Sequence, residues 1–327
     1  MRDLIRIGLV GLGFIGKTHL EAYEKIPNAE VAVICTTKPL KDFKGTVVRH
    51  YDELLQNRDI DVVDLCVPTF LHEEYIVKAA QAGKHIICEK PLALSVEAAE
   101  RIMAEVHRHK VKLLVGHVLR FWPEYVAIRE KVDFKVEVIH GERRGQLPTW
   151  SDWFQYPEKS GGALYDLHIH DIDFTIFTVG KVETVYAVGT KNKYGAWNHV
   201  MTSLSFSNGA KAFLEASHRM PNGYPFTMSY RVQGDDRVID FNLAAGENIE
   251  NVEEGHQKLV YYENGKNEPI RVLDGDPFVK ELSYFLECIE GKRENDIVPL
   301  EDVLYTLQVM EAVEESLQSG KVVKLSI

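Results

Sequence analysis

The chain has 327 residues, of which 45% are hydrophobic and 27% charged, so it holds enough apolar material for two domains of ordinary size. Its net charge of −11, without a long Lys/Arg run, argues against nucleic acid as a partner, because phosphate backbones attract a basic protein face. No apolar run reaches the roughly 18 residues that cross a bilayer, the first residues do not resemble a signal peptide, and the four cysteines form no CxxC pair. We therefore expect a reduced, cytoplasmic protein that does not bind a membrane.

The first 120 residues alternate short apolar runs with amphipathic helical patterns. The predicted strands are IRIGLVG, AEVAVICTT, DVVDLCVPT, KHIICEKP and KLLVGHVLRF. Near-continuous apolar strands between amphipathic helices are typical of a parallel sheet that is covered on both faces. Ser95 is the predicted N-cap of the fourth helix, with Glu97 in its first turn.

A glycine motif follows the first predicted strand and opens the first predicted helix. In Gly11-x-Gly13-x-x-Gly16, the first glycine permits a tight turn, the second lets a pyrophosphate approach the backbone, and the third allows close helix–strand packing. The N–H groups of the helix N-terminus then face the phosphates. We predict a dinucleotide site that includes Phe14 and Ile15; the alternative is a glycine turn without a ligand.

The second predicted strand ends in Thr36, Thr37 and Lys38, where an NAD-binding site usually places an acid on the ribose 2′-hydroxyl. Two hydroxyls and a cation would instead accept a 2′-phosphate, so the sequence favours NADP over NAD. The alternative is that Lys38 is a solvated surface lysine. The segment before YDELL is also too short for a full second helix.

The segment YDLHIHDID lies in a predicted helix over residues 162–179, which glycines bound at both ends. At about 100° per residue, Asp166, His170 and Asp173 gather on one side. Asp166 and His170 form an i, i+4 pair, in which the carboxylate can orient the imidazole and leave its other nitrogen for a substrate proton. The alternative is a core histidine with locally paired acids.

His168 and Asp171 project toward the other side of this helix, and for His168 a packing or surface role is favoured over catalysis. A rival hypothesis is a metal-dependent hydrolase, in which His168 and His170 bind a divalent ion together with the adjacent acids. That hypothesis requires extended backbone, whereas the helical pattern places the two histidines about 160° apart. We therefore predict no metal site.

Strand pairs with hairpin signals follow residue 180, centred on Asn208-Gly209, Gly234-Asp235 and Asn264-Gly265. Two helical stretches, 277–290 and 300–318, close the chain. The second part of the chain is thus predicted to contain an antiparallel sheet with helices.

Several segments together resemble the Gfo/Idh/MocA oxidoreductases, which include glucose–fructose oxidoreductase and inositol dehydrogenase. In the order of that family, they are GLVGLGFIG, VPTFLH, the EKP signature at Glu89-Lys90-Pro91, GHVLRFWPEY, SGGALYDLHIHDID and DPFVKELSYFLECIEG. The resemblance covers essentially the whole chain. It implies an α/β fold with a Rossmann NAD(P)-binding domain over 1–120, followed by an α+β domain over 121–327 with a large open, mostly antiparallel sheet.

The resemblance also implies an activity, namely hydride transfer between a hydroxyl carbon of a sugar, sugar derivative or cyclitol and nicotinamide. By resemblance, His170 is the general base, Asp166 is its partner, and Lys90 hydrogen-bonds the reacting hydroxyl and helps to place the nicotinamide, with a cis bond often found at Pro91. Further cofactor contacts are expected from Pro68, Thr69, His72 and Glu89. The sheet would form a homodimer or homotetramer interface.

Substrate contacts are expected from Arg120, whose alternative is a salt bridge across the domain junction. They are also expected from Trp153 in an aromatic loop with Trp150 and Tyr156; the alternative for this loop is core packing.

Two other functions stay open. One is a regulatory protein that has lost the chemistry, against which the intact Lys90, Asp166 and His170 argue. The other is a family variant that cleaves glycosides through transient oxidation by tightly held NAD. The substrate itself is not predicted.

Overall fold

The computed structural model describes residues 4–40, 43–148, 151–246 and 256–325. The chain divides into two compact units: Met1–Trp122 with Asp274–Leu304, and Pro123–Leu273 with Tyr305–Ile327. This division differs from the predicted one, 1–120 and 121–327, because Asp274–Leu304 packs with the first unit.

The physical reason is the contact between that segment and the first helix of the chain. Lys25 forms an ion pair with Asp276 at 2.8 Å, and the rings of His19 and Phe278 lie 5.7 Å apart. Such tertiary contacts cannot be inferred from local periodicity.

The first unit is built on a parallel sheet. Its strands are β1 (Ile5–Val10), β2 (Ala29–Cys35), β3 (Thr46–Val48), β4 (Val62–Leu65), β5 (His85–Glu89) and β6 (Leu113–Gly116). The strand order is β3-β2-β1-β4-β5-β6, which is that of a Rossmann sheet. Strands β4 and β6 are buried throughout, as expected of strands covered on both faces. The order reverses beside β1, and ligands of such folds bind at the carboxyl ends of the strands near this point.

The α-helices of the described residues are, in chain order, α1 (Phe14–Tyr23), α2 (Tyr51–Leu55), α3 (His72–Gln81), α4 (Val96–His109), α5 (Pro123–Lys131), α6 (Pro157–Ser160), α7 (Ile169–Val179), α8 (Pro277–Ile289) and α9 (Leu300–Ser319). They include α8 and α9, which lie over the predicted stretches 277–290 and 300–318, and also α5 and α6, which were not predicted. Ser95 caps α4 as predicted, since its hydroxyl accepts a hydrogen bond from the backbone N–H of Ala98 at 3.2 Å. Asp276 caps α8 in the same way.

The second unit is built on a mixed sheet. Its strands are β7 (Val138–Arg144), β8 (Val182–Lys191), β9 (Trp197–Phe206), β10 (Lys211–Ser217), β11 (Thr227–Gln233), β12 (Arg237–Ala244), β13 (His256–Glu263), β14 (Lys266–Pro269) and β15 (Val323–Lys324). The order is β14-β13-β12-β11-β7-β10-β9-β8-β15. Neighbours are antiparallel except β7 and β10, which confirms a large, mostly antiparallel sheet.

All three predicted hairpins are present, joining β9 to β10, β11 to β12 and β13 to β14. In the last, Asn264 and Gly265 have φ values of +51° and +74°, the pair of positive values that a type I′ turn requires. In the part of the chain that the structure describes, no helix is both long and apolar enough to span a bilayer.

Candidate active site

The glycine turn after β1 has the geometry of a dinucleotide cradle. Gly11 has a φ of +91°, and a Cβ on it would lie 2.4 Å from the carbonyl oxygen of Cys66. A Cβ on Gly16 would lie 2.0 Å from the carbonyl oxygen of Gly11, so only glycine allows this close approach of helix and strand. A Cβ on Gly13 would meet nothing within 4 Å, which leaves open space beside the backbone.

The N-terminus of α1 lies beside that open space. Gly13 is its N-cap, so no side chain caps the first turn, and the first turn, which begins with Phe14 and Ile15, contains no acidic residue. Its N–H groups and partial positive charge are thus suited to an anion. The residues present fit the pyrophosphate of a dinucleotide.

The end of β2 carries a cation that the sequence analysis did not find. The side chain of Arg49 donates hydrogen bonds to the carbonyl oxygens of Thr36, at 3.3 Å, and of Thr37. The hydroxyl of the buried Thr36 accepts from the backbone N–H of Lys38 at 3.1 Å, while Thr37 and Lys38 are exposed. Arg49 follows β3, a short strand without the apolar pattern that would have revealed it. No helix occurs between β2 and β3 among the described residues.

The predicted cofactor residues after β4 and β5 have different environments. Pro68 precedes a 3₁₀ turn over Thr69–Leu71, and Thr69 is buried. The ring nitrogens of the buried His72 lie 2.8 Å from the carbonyl oxygen of Pro91 and 3.0 Å from that of Val67. Burial lowers the pKa of His72, and the contacts of its ring with the carbonyl oxygens of Val67 and Pro91 oppose that shift.

Lys90 is half-buried at the end of β5, and the Lys90–Pro91 peptide bond is cis. The side chain of Glu89 turns into the interior of the unit: one carboxylate oxygen accepts the backbone N–H of Lys90 at 3.2 Å, and the other lies 3.2 Å from a ring nitrogen of His19. Glu89 therefore supports the strand end from within.

Arg120 is buried and binds inside the first unit. Its guanidinium donates to the carbonyl oxygen of Ile297 at 2.6 Å and to a carboxylate oxygen of Asp302 at 2.9 Å. These contacts favour the salt-bridge alternative, with both partners in one unit rather than across a domain junction. A substrate contact from Arg120 stays a prediction.

The histidine-rich helix is not uniformly α-helical. Leu164–His168 form a π-helical turn, and α7 continues from Ile169. Because π-helical hydrogen bonds run from i to i+5, the turn changes the phase that regular 3.6-residue periodicity predicts. Asp166 and His170 are both half-buried, whereas Asp173 is buried and accepts a hydrogen bond from Thr306 at 3.1 Å. Asp173 was predicted on the same side as Asp166 and His170, but it is not accessible as they are.

Asp166 has a partner that the sequence analysis missed. One of its carboxylate oxygens lies 3.0 Å from Nε2 of His218, a buried residue directly after β10. The backbone N–H of His218 donates to the carbonyl oxygen of Asn198, which fixes the position of the histidine beside β9. A histidine at a strand end was the available signal, but 52 residues separate it from Asp166.

The other two polar residues of the segment belong to the core. His168 is fully buried, with Nε2 2.7 Å from the hydroxyl of Thr202, and burial lowers its pKa to about 3. Asp171 accepts two hydrogen bonds from Arg143, each of 3.0 Å. Neither His168 nor His170 belongs to a group with metal-ligand spacing in the described ranges. These contacts argue against the metallohydrolase hypothesis.

The aromatic loop before this helix is partly described. Trp153 is half-buried and stacks on Phe154, with ring centroids 4.0 Å apart. Tyr156 packs against Tyr194 with a centroid distance of 4.8 Å. Trp150 lies outside the described residues. The remaining rings keep partly accessible faces, so a sugar contact from Trp153 stays a prediction.

A dinucleotide cradle on a Rossmann sheet, followed by a second α+β unit, defines the class as Rossmann-fold oxidoreductases. A family model described as "Oxidoreductase family, NAD-binding Rossmann fold" matches residues 5–117, and one described as "GFO/IDH/MocA C-terminal domain" matches residues 134–240. The chain belongs to the Gfo/Idh/MocA oxidoreductase family.

Relatives within the family differ in what they catalyse. The myo-inositol 2-dehydrogenase of Thermotoga maritima is 28% identical over 343 residues, 98% of each chain. The 2,7-anhydro-N-acetylneuraminate hydratase of Mediterraneibacter gnavus is 38% identical over 183 residues, 53% of this chain and 48% of that protein. The structure of the aldose-aldose oxidoreductase from Caulobacter crescentus, complexed with glycerol, has a TM-score of 0.84 at 21% identity and covers 98% of this chain and 100% of that one.

Proposed function

We propose that the protein transfers a hydride between a hydroxyl carbon of a sugar, sugar derivative or cyclitol and NAD(P). The observation that carries this proposal is the strip of Asp166 and His170, which stays accessible on a helix that is otherwise largely buried. An acid and an imidazole in that setting are suited to moving a proton. The dehydrogenase relative supports the substrate class.

In the proposed reaction, His170 removes the hydroxyl proton of the substrate, because an unperturbed hydroxyl holds its proton too tightly at neutral pH. The carboxylate of Asp166 would orient the imidazole, and the contact with His218 would hold that carboxylate in place. Lys90 would stabilise negative charge on the substrate oxygen. When bound, the nicotinamide supplies the hydride acceptor or donor. In the reverse direction, His170 would return the proton.

The residues at the end of β2 support NADP as the cofactor, with NAD as the alternative. Lys38 and Arg49 bring two cations to the exposed end of the strand, and Thr37 adds a hydroxyl. No acid follows β2 among residues 36–40. A guanidinium is suited to paired hydrogen bonds with a phosphate.

A second candidate function is a redox cycle without net oxidation, in which tightly held NAD is regenerated within each turnover. The hydratase relative favours this possibility, although the match spans only about half of each chain. The same base could serve both reactions, so analysis of the product separates them. A product at the oxidation level of the substrate, with no free NAD(P)H, would favour the second function.

We also propose that the open face of the second sheet joins two copies of the chain, as a homodimer or as part of a homotetramer. Four large apolar side chains on β8, β9 and β10 are 41–50% exposed: Tyr186, Val188, Met201 and Phe213. They are neighbours across the sheet, since Val188 pairs with Met201, and Tyr186 and Phe213 both pair with Ser203. An apolar patch of this kind is typical of an interface.

The proposed function is tested by nicotinamide absorbance with both cofactors against sugars, sugar nucleotides and inositols. We expect turnover with at least one polyol and a preference for NADP. His170→Ala should abolish turnover and leave cofactor affinity nearly intact, because the imidazole acts on the substrate proton. Normal cofactor binding without turnover of any polyol would favour a regulatory protein, and an equal loss of turnover and cofactor affinity in His170→Ala would show that His170 is structural.

A further inference from the structure

A buried cluster of polar side chains lies inside the first unit, below the strand end that carries Lys90. It comprises His19 and Tyr23 on α1, Asp64 on β4, Glu89 on β5 and Glu281 on α8. Each of them is less than 10% exposed. Three carboxyl groups are thus gathered with a single imidazole in a region from which water is excluded.

His19 pairs with two of the three carboxyl groups. Its Nδ1 lies 2.8 Å from Asp64, which also accepts a hydrogen bond from the hydroxyl of Tyr23 at 3.0 Å. Its Nε2 lies 3.2 Å from Glu89. Burial works to lower the pKa of His19, but the neighbouring Cys66 and Asp64 raise it well above its ordinary value. A charged His19 therefore balances one negative charge.

Glu281 is the third carboxyl group, and it is fully buried. Neither of its oxygens has a hydrogen-bond partner among the described residues. Even so, a ring nitrogen of His19 and one carboxyl oxygen each of Glu89 and Glu281 lie within 4.8 Å of one another. An ionised carboxylate in that position would cost several kcal/mol, because it is fully buried and accepts no hydrogen bond from the described residues. Burial, and then the charge of Glu89, raise the pKa of Glu281 well above its usual value.

We propose that Glu281 is a neutral carboxylic acid in the folded protein and donates a hydrogen bond to Glu89, so that Glu281, Glu89 and His19 form a positioning network for Lys90. Glu89 is the link, because its second oxygen accepts the backbone N–H of Lys90. The backbone of β6 closes on the same carboxylate, since a Cβ on Gly116 would lie 2.9 Å from it. The positioning role rests on the proposed function of Lys90, whereas the neutral state of Glu281 does not.

The first test compares Glu281→Gln with wild type and with Glu287→Gln, an exposed position on the same helix. A carboxyl group with a raised folded pKa contributes stability that is fully present below its unfolded pKa and is lost as pH rises through the folded pKa. The melting temperature of Glu281→Gln should therefore rise relative to wild type as pH increases, while that of Glu287→Gln should run parallel to wild type. Parallel curves for all three proteins would overturn the neutral state.

Infrared difference spectra give a readout independent of any activity. At neutral pH, wild type and Glu287→Gln should show the carbonyl stretch of a protonated buried carboxyl group, and Glu281→Gln should lack it. The rival explanation is a divalent cation held among the same carboxylates. If purified wild type holds one equivalent of metal and lacks the infrared band, and Glu281→Gln has lost the metal, the proposal is overturned.

The positioning role is tested by turnover with whichever polyol the wild type oxidises. Glu281→Leu should lower kcat about 10- to 100-fold, as small misplacements of catalytic groups do, with KM nearly unchanged. Glu281→Gln, which keeps a neutral donor, should recover most of that loss. Equal kcat in Glu281→Leu and wild type would refute positioning and leave the infrared test of the neutral state standing.

Discussion

Replacing Arg143 with methionine should destabilise the second unit far more than the same replacement of its neighbour Arg144. Arg143 and Asp171 are both almost fully buried, and the guanidinium donates to both carboxylate oxygens at 3.0 Å. The hydroxyl of Tyr125 lies 3.1 Å from the same guanidinium. This pair fixes α7 to β7, so its loss leaves an uncompensated charge in the core.

The expected size follows from burial. Removing one partner of a buried ion pair costs about 3–5 kcal/mol. For a unit of this size, each kcal/mol lowers the melting temperature by roughly 2–4 °C, so a fall of at least about 6 °C is expected. Arg144 pairs with Glu142 where both side chains remain solvent-accessible, and the loss of such a pair costs about 1 kcal/mol or less. Arg144→Met is therefore the matched control.

The pH dependence makes the test specific. Burial raises the pKa of Asp171 above its ordinary value, and Arg143 opposes that rise. In Arg143→Met the opposition is gone, so the folded pKa of Asp171 rises further. The stability linked to a raised pKa is present below the unfolded pKa and lost as pH rises through the folded one. The deficit of Arg143→Met should thus grow from acidic to alkaline pH in thermal melts followed by circular dichroism. Similar melting temperatures for both variants, or a deficit independent of pH, would refute the reasoning.

Three further results are expected. His218→Ala should lower kcat about 10- to 100-fold with unchanged cofactor affinity, because Asp166 loses the group that holds it. His199→Ala, on the outward face of the sheet, should leave kcat unchanged. Equal losses of kcat in both variants would contradict the role of His218 in holding Asp166. Arg49→Ala should raise the KM for NADP about tenfold more than that for NAD, because a charge-assisted hydrogen bond contributes about 1.5–3 kcal/mol; an equal rise would place Arg49 away from the 2′-phosphate. Phe213→Asp should shift the protein to monomer in light scattering, and an unchanged mass would exclude the sheet face as the interface.

The elements that could be predicted from the sequence are those whose cause is local. Strands β4 and β6 of the first sheet are apolar because both of their faces are covered, and Ser95 caps α4 through Ala98, three residues further on. The hairpin at Asn264-Gly265 follows from two residues that tolerate positive φ. The cap and the hairpin depend on contacts within a few residues, and the burial of the strands is recorded in their own apolar composition, so the pattern and the structure agree.

The elements that could not be predicted depend on residues that are distant in sequence. The segment Asp274–Leu304 joins the first unit because α8 packs on α1, which no periodicity records. Strand β3 has only three residues, two of them exposed, so it lacks an apolar pattern. The partnership of Asp166 with His218 depends on where β10 ends relative to the helix. The π-helical turn also lies between Asp166 and His170, so regular helical periodicity does not give the phase between these two residues.

That same helix shows how burial and the proposed function are connected. Its polar side chains on the buried sides each have a partner: His168 with Thr202, Asp171 with Arg143, Asp173 with Thr306 and Thr175 with Tyr230. A buried polar group left without its partner costs about 1–3 kcal/mol, so rotation of the helix by one residue would break several such contacts at once. Apolar packing alone tolerates small rotations better, because it has no direction. These polar contacts therefore fix the rotation of the helix and hold Asp166 and His170 on its accessible strip, so the residues that looked like a metal site determine the orientation of the proposed base.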